Sequence, residues 1–189
     1  MVDRLITGVG VVVAASLLLV SIWLPYWTIK LEAPQYPEGL WATTYVTHLT
    51  GDVREIDELN HYIGMMRLDD AAALEKRVAV YAMVSIAALA LLSWALRGWL
   101  RWALRLPLVL FPAGFVADLA YWLWYAGNHL DPTAALSSSI KPFTPAVLGR
   151  GTIGQFHTVA RFELGFWLAL LGAAVAILTL LWPEEEAQP

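Results

Sequence analysis

ITGVGVVVAASLLLVSIWLPYW, residues 6–27, holds no charged side chain. A helix needs roughly 20 mostly apolar residues to cross the hydrocarbon layer, so this stretch predicts a membrane span over about residues 5–27. It is longer than a signal-peptide core of about 7–15 residues, and bulky Leu24-Pro25-Tyr26-Trp27 stands where a small-residue cleavage site belongs. The reading is therefore an uncleaved helix.

Working outward, three further stretches satisfy the same rule, over about residues 78–96, 104–126 and 162–182. Pro107 and Pro112 are expected to break the third. Each span ends near Trp or Tyr, and ten Trp and seven Tyr in 189 residues suit aromatic belts at the two interfaces. The fold class expected is an all-α membrane protein. A single membrane domain over 1–189 carries four transmembrane helices and two extracytoplasmic loops, about 28–77 and 127–160, the first containing a short amphipathic helix.

Composition agrees. The chain is 59% hydrophobic and 15% charged, against about 45–50% and about 25% in soluble domains. A net charge of -4 argues against a nucleic-acid partner. With no cysteine, disulfides, thiolate metal sites and cysteine nucleophiles are excluded. Between the second and third spans lie Arg97, Arg101 and Arg105 with no acid among them. Short basic connections stay in the cytoplasm, which places both termini there and the two long loops outside a bacterial inner (cytoplasmic) membrane. Arg4 agrees, and the acidic run at 184–186 is neutral in this rule.

Within the first outer loop, Pro34 and Pro37 predict an extended segment over 30–39. LWATTYVTHL, residues 40–49, is β-branched and aromatic, open to a strand or a short helix. Residues 53–65 read as an amphipathic helix with Ile56, Leu59, Tyr62 and Ile63 on one face. The second loop carries IKPFTPAVLG at 140–149, a mildly apolar run that lies on the membrane or buries beneath the first loop. GRGTIG, residues 149–154, lacks both a preceding strand and a following Lys-Ser/Thr, so no nucleotide site is expected and the glycines are read as tight turns.

All four histidines, His48, His61, His129 and His157, fall on the expected outer side. Hydrocarbon disfavours histidine, which accounts for part of that bias. His61 and Met65 stand four apart, which on a helix aligns imidazole and thioether, with Met66 adjacent. Thioethers select Cu(I), and imidazole suits both copper states. Asn60, Asp57 and Glu58 are candidates to orient the imidazole. Equally open is an apolar role, with Met65 and Met66 filling space where a short helix meets the bilayer.

Asp118 sits about 20 Å along the third span from Leu104, at membrane depth. With Tyr121, Trp122, Tyr125 and His129 it forms a polar and aromatic stripe. Such a stripe suits a proton path, a quinone pocket or support for a metal. The structural alternative is an Asp bonded to a neighbouring helix through Ser85 or Ser93. Arg161 and Glu163 open the fourth span, where helical i, i+2 positions do not meet, so each is expected to pair elsewhere. No nucleophile–base pair or carboxylate pair of recognisable spacing is present, so an enzyme acting alone is the weakest reading.

The blocks LNHYIGM (59–65), ADLAYWLWYAGNHLD (117–131) and IKPFTPAVLGRGTIGQF (140–156) resemble a group of small bacterial polytopic membrane proteins associated with copper-dependent respiration, chiefly the maturation of nitrous-oxide reductase. The resemblance implies an accessory role, copper handling or electron supply at the outer face, with His61 and Met65 first among its residues and Asp118 and His129 next. The expected function is thus a copper-binding membrane accessory that serves another membrane or periplasmic respiratory protein. One alternative is an anchor subunit of a quinol- or haem-linked electron-transfer complex, in which His129 and His157 flank the second loop as haem ligands. Another is a purely structural subunit.

Overall fold

A computed structural model describes residues 2–136, 139–153 and 156–182. The acidic run at 184–186 and Gly154 lie outside them. In chain order the elements are α1 (Val2–Ser21), β1 (Trp27–Ala33), β2 (Tyr36–Thr44), β3 (Leu49–Gly51), α2 (Val53–Ile63), α3 (Ala73–Leu92), α4 (Trp99–Asn128), β4 (Gly149–Ile153), β5 (Phe156–Phe162) and α5 (Leu164–Leu181). The all-α expectation is therefore wrong. The strands form one antiparallel sheet in the order β3-β2-β1-β5-β4.

Sequence alternation explains the sheet. A strand turns successive side chains to opposite faces. Trp27, Ile29 and Leu31 of β1 share one face; Ile29 is in register with Ala42 and Ala160, and Leu31 with Leu40 and Thr158. Leu40 and Ala42 bury there against Ile56 of α2, with Ile29, Leu31, Leu59 and Leu68 packed around them. The opposite face is polar. Thr28 and Thr43 hydroxyls lie 3.1 Å apart, and Lys30 and Arg161 sit 5.2 and 5.6 Å from the Trp41 ring. Arg161 bonds Glu163 at 2.6 Å, contrary to the helical expectation that the two would part. Arg161 belongs to β5, and on a strand positions i and i+2 share a face.

Two expected span boundaries move for the same reason. Trp27, the expected end of span one, opens β1, and residue 162, the expected start of span four, closes β5. Gly149–Ile153 forms β4 rather than tight turns. Residues 40–44, whose composition admits either strand or helix, are strand.

Four helices are long and apolar enough to cross a membrane, and their candidate spans run over Arg4–Ser21, Ala73–Ala95, Trp99–Asn128 and Leu164–Leu181. Pro107 and Pro112 lie inside α4 without ending it.

The chain forms two compact units. The helical unit comprises the described parts of Met1–Leu24, Val80–Gly114 and Leu164–Pro189. In it α1 packs on α5 through small side chains. A Cβ on Gly172 would stand 3.0 Å from the Ala14 carbonyl oxygen, and one on Gly10 would meet Thr179 Cγ2. Close approach through small residues is how helices associate in lipid, where burial of apolar surface brings no gain. The outward side chains are correspondingly apolar: Leu178 and Leu181 of α5 are each 65% exposed. Arg105 is fully buried, donating Nε–H to Ser93 Oγ and Nη1–H to Thr179 Oγ1 at 2.7 and 3.0 Å. Arg101 donates to the Leu180 carbonyl. Two arginines of the basic connection are thus packed inside this unit, while Arg97 is exposed.

The mixed unit, Pro25–Ala79 and Phe115–Glu163, holds the sheet, α2 and the last turns of α4. It contains every histidine and every candidate site residue named above.

Candidate metal cleft

Helix α2 ends at Ile63 because Gly64 adopts a left-handed conformation, φ 77°. The Met65 N–H bonds Asn60 O at 2.9 Å and the Gly64 N–H bonds His61 O at 3.3 Å, a Schellman closure that satisfies two otherwise orphan carbonyls. The expected helix over 53–65 therefore stops two residues short. His61 is on the last turn, Met65 lies beyond it, and the i, i+4 alignment between them does not exist. Tyr62 is also exposed; the buried positions are Ile56, Asn60 and Ile63.

The termination of α2 is what joins the two outer segments. Gly64 O accepts the Asp131 N–H at 2.7 Å, and Tyr62 O accepts the Leu136 N–H at 2.9 Å. The fit is close: a Cβ on Gly64 would stand 2.5 Å from Asp131 O and 2.8 Å from Asp131 N. An open cleft of about 870 Å³ lies along this seam, lined by His61, Met65, Met66, Asn128, His129 and Asp131, among others.

His129 follows the end of α4. Its ring stacks on Tyr125 at 4.1 Å and meets Trp124 edge-on at 5.5 Å. Its Nδ1 lies 3.0 Å from Tyr125 O. A carbonyl only accepts, so Nδ1 carries the proton in this bond and Nε2 keeps its lone pair in the neutral ring. This is the support that metal-binding imidazoles use. Asp131 accepts from the Thr133 N–H and hydroxyl at 2.8 and 2.7 Å. These bonds, with a smaller contribution from nearby His61, hold its carboxyl below the usual range.

The residues expected to orient His61 are engaged elsewhere. Asp57 accepts from the Leu68 N–H at 2.7 Å and pairs with Arg67 at 3.6 Å. Glu58 pairs with Arg54, and Asn60 is buried. Asp131 and Thr133 carry no periodic signal, because their role comes from a partner about 70 residues away in sequence.

The other histidines do not join the cleft. His48 stacks on Tyr45 at 4.6 Å and contacts Thr47 Oγ1 in the turn after β2. His157 lies opposite Glu32 in the β1–β5 register and lines a separate cleft of about 410 Å³ with Arg150. His129 thus lines the first cleft and His157 the second. The stripe on α4 is a run of touching rings: Tyr121 to Tyr125 at 6.0 Å, Trp122 to Tyr125 at 5.7 Å, then His129. Asp118 is half-buried beside Trp122 and within electrostatic range of Glu75. Ser93, a suggested partner for Asp118, instead serves Arg105 and Ala90 O.

The donor types along the cleft, two imidazoles and two thioethers beside the carboxyls of Asp70 and Asp131, suit a soft cation. Among the described residues no three His, Asp or Glu side chains converge as a ready-made ligand group. The cleft thus gathers donors without locking them into the closed geometry of a structural metal centre. No protein-family profile matches the chain, and no curated protein is similar to it in sequence.

Proposed function

We propose that this chain is a multi-pass protein of a bacterial cytoplasmic membrane that takes up Cu(I) in the His61–His129 cleft and passes it to a copper-dependent respiratory enzyme, with both termini cytoplasmic and the mixed unit outside. The observation that carries this reading is the pair of backbone bonds from 131 and 136 to 64 and 62. They bring His61, Met65 and Met66 to the same cleft as His129. An open site with soft donors suits cargo that must leave again, and Cu(I) is stable with few thioether and imidazole ligands. The resemblance of residues 59–65 and 117–131 to copper-respiration accessory proteins points the same way.

The test is competition for Cu(I) between the full-length, detergent-purified protein and a chromogenic chelator. About one Cu(I) per chain is expected, lost in a His61→Ala, Met65→Ala double variant and weakened in His129→Ala. Unchanged stoichiometry and affinity in both variants would end the proposal.

A second reading, a quinol- or haem-linked electron-transfer subunit, draws on the contiguous rings from Tyr121 through Tyr125 to His129. Its mark is a Soret band or extractable quinone in the purified protein. Absence of both, together with stoichiometric copper, decides for the first reading.

A further inference from the structure

Between the apolar face of the sheet and α2 lies a second cavity, of about 240 Å³, distinct in character from the metal cleft. Its walls are largely hydrocarbon and aromatic, including Trp27, Leu31, Leu59, Leu123 and Phe156. Among the described residues, Met65 is the only imidazole, thioether or carboxyl side chain that lines both spaces. Of these two spaces, Met66 borders the cleft alone. The turn at Gly64 puts Met65 on the boundary. Its N–H is held by Asn60 O at 2.9 Å, so the backbone is fixed while the side chain can swing. Ile63 before it is buried, and Leu68 after it packs into the sheet core.

Chemistry separates Met65 from the other donors of the cleft. An imidazole or a carboxyl withdrawn into hydrocarbon would leave a polar group unpaired. A thioether is apolar, accepts hydrogen bonds only weakly, and sits on an unbranched, flexible stem. Its burial in the cavity removes apolar surface from water. Size permits the move: an apolar cavity of about 150 Å³ holds a benzene ring, which is larger than a Met side chain. From these observations we infer that Met65 is a retractable ligand, its thioether reaching into the cleft to bind Cu(I) and withdrawing into the sheet–α2 cavity as the ion leaves. The inference rests on the Cu(I) reading of the cleft and supplies its release step. Withdrawal leaves the ion with fewer ligands, and burial of the thioether partly offsets the lost bond.

The test combines Cu(I) affinity with the position of the Met65 methyl group, in the full-length, detergent-purified protein. Leu59→Phe on α2 and Leu123→Phe on α4 fill the cavity from different walls and hold the thioether out. Each is expected to bind Cu(I) about tenfold more tightly than the parent, as when a binding-competent state populated about one part in ten becomes the whole. In a Met65→Leu background the same fillings should leave Cu(I) affinity unchanged, a coupling that a general change in packing would not produce. With methyl-labelled Met and no metal, the Met65 methyl should show NMR cross-peaks to the Phe156 and Trp27 rings that vanish when Cu(I) binds. The Met66 methyl should show none in either state. Three results overturn this inference alone: parent-like affinity in both filled variants, an equal gain in the Met65→Leu background, or Met65 methyl contacts that are the same with and without Cu(I). A parent that binds no Cu(I) overturns the copper reading and this inference with it. The methyl measurement uses the unaltered chain, so the test stands even where a filled variant fails to fold.

Discussion

Replacing Gly64 by Ala tests the seam that makes the cleft. Two costs arise together. A Cβ in the left-handed region costs about 1–2 kcal/mol. The new methyl would also stand 2.5 Å from Asp131 O, 2.8 Å from Asp131 N and 3.0 Å from Ala134 Cβ. Backbone atoms cannot swing aside as a side-chain tip can, so the 131–136 segment must retreat. Its bonds to Gly64 O and Tyr62 O, each contributing about 1 kcal/mol net, weaken or break. The seam is expected to lose roughly 2–4 kcal/mol, about 30- to 1000-fold in its local opening equilibrium. Amide hydrogen exchange at Asp131 and Leu136, measured by mass spectrometry on the protein in nanodiscs, reads that opening directly. Gly149→Ala is the control: its φ is also positive, 82°, but nothing lies within 4 Å of the added Cβ. It carries the backbone cost alone and leaves the seam amides protected. Equal exchange at Asp131 and Leu136 in the parent and Gly64→Ala would refute the reasoning, because the contact would then yield without cost. Cu(I) affinity should fall with the seam, since His129 no longer shares a cleft with His61 and Met65.

Three further outcomes follow from the same structure. Arg105→Ala removes a fully buried side chain and the bonds it donates to the Ser93 and Thr179 hydroxyls; thermal unfolding in detergent should show a loss of about 2–5 kcal/mol from the space left behind, whereas exposed Arg97→Ala changes little. Because the chain has no cysteine, single cysteines report topology without background: Arg150→Cys should react with a membrane-impermeant thiol reagent on intact cells and Arg97→Cys only after permeabilisation, and the reverse pattern would invert the assigned orientation. The Asp131 carboxyl is held low first by Thr133 and then by His61. A depressed carboxyl stabilises the folded turn above the unfolded value of about 3.9 and loses that contribution as pH falls through the folded value. Carboxyl NMR should therefore show Asp131 titrating below the ordinary range in the parent and closer to it in Thr133→Val; identical curves would remove the assigned cause.

The strands are harder to see than the helices for a physical reason. Alternation over seven residues, as in WTIKLEA of β1 or FHTVARF of β5, is a short signal. Both strands also abut long apolar runs, and the hydropathy of those runs draws Trp27 and Phe162 into the expected spans. LWATTYVTHL has the β-branched and aromatic composition of a strand, but pairing decides between strand and helix, and β2 gains its partner only when β1 lies beside it. His61, Met65, Met66 and His129 are legible as chemistry from residue type alone. The helical alignment of His61 with Met65 fails at Gly64, where a residue without a Cβ closes the helix.

What the sequence determined by itself is local. Length and hydropathy specify four helices able to cross a membrane, because roughly 20 apolar residues in a row suffice for that property whatever else the chain does. It also limited the metal chemistry to imidazole, thioether and oxygen donors by containing no cysteine. The tertiary structure alone decided which of those donors meet. The bonds from Asp131 to Gly64 and from Leu136 to Tyr62 join segments far apart in the chain, and no period within either segment encodes the other's position. The same long-range pairing set His48 and His157 apart from the cleft and turned Thr158 inward, since a strand's register assigns each side chain to a face only once its neighbours are in place.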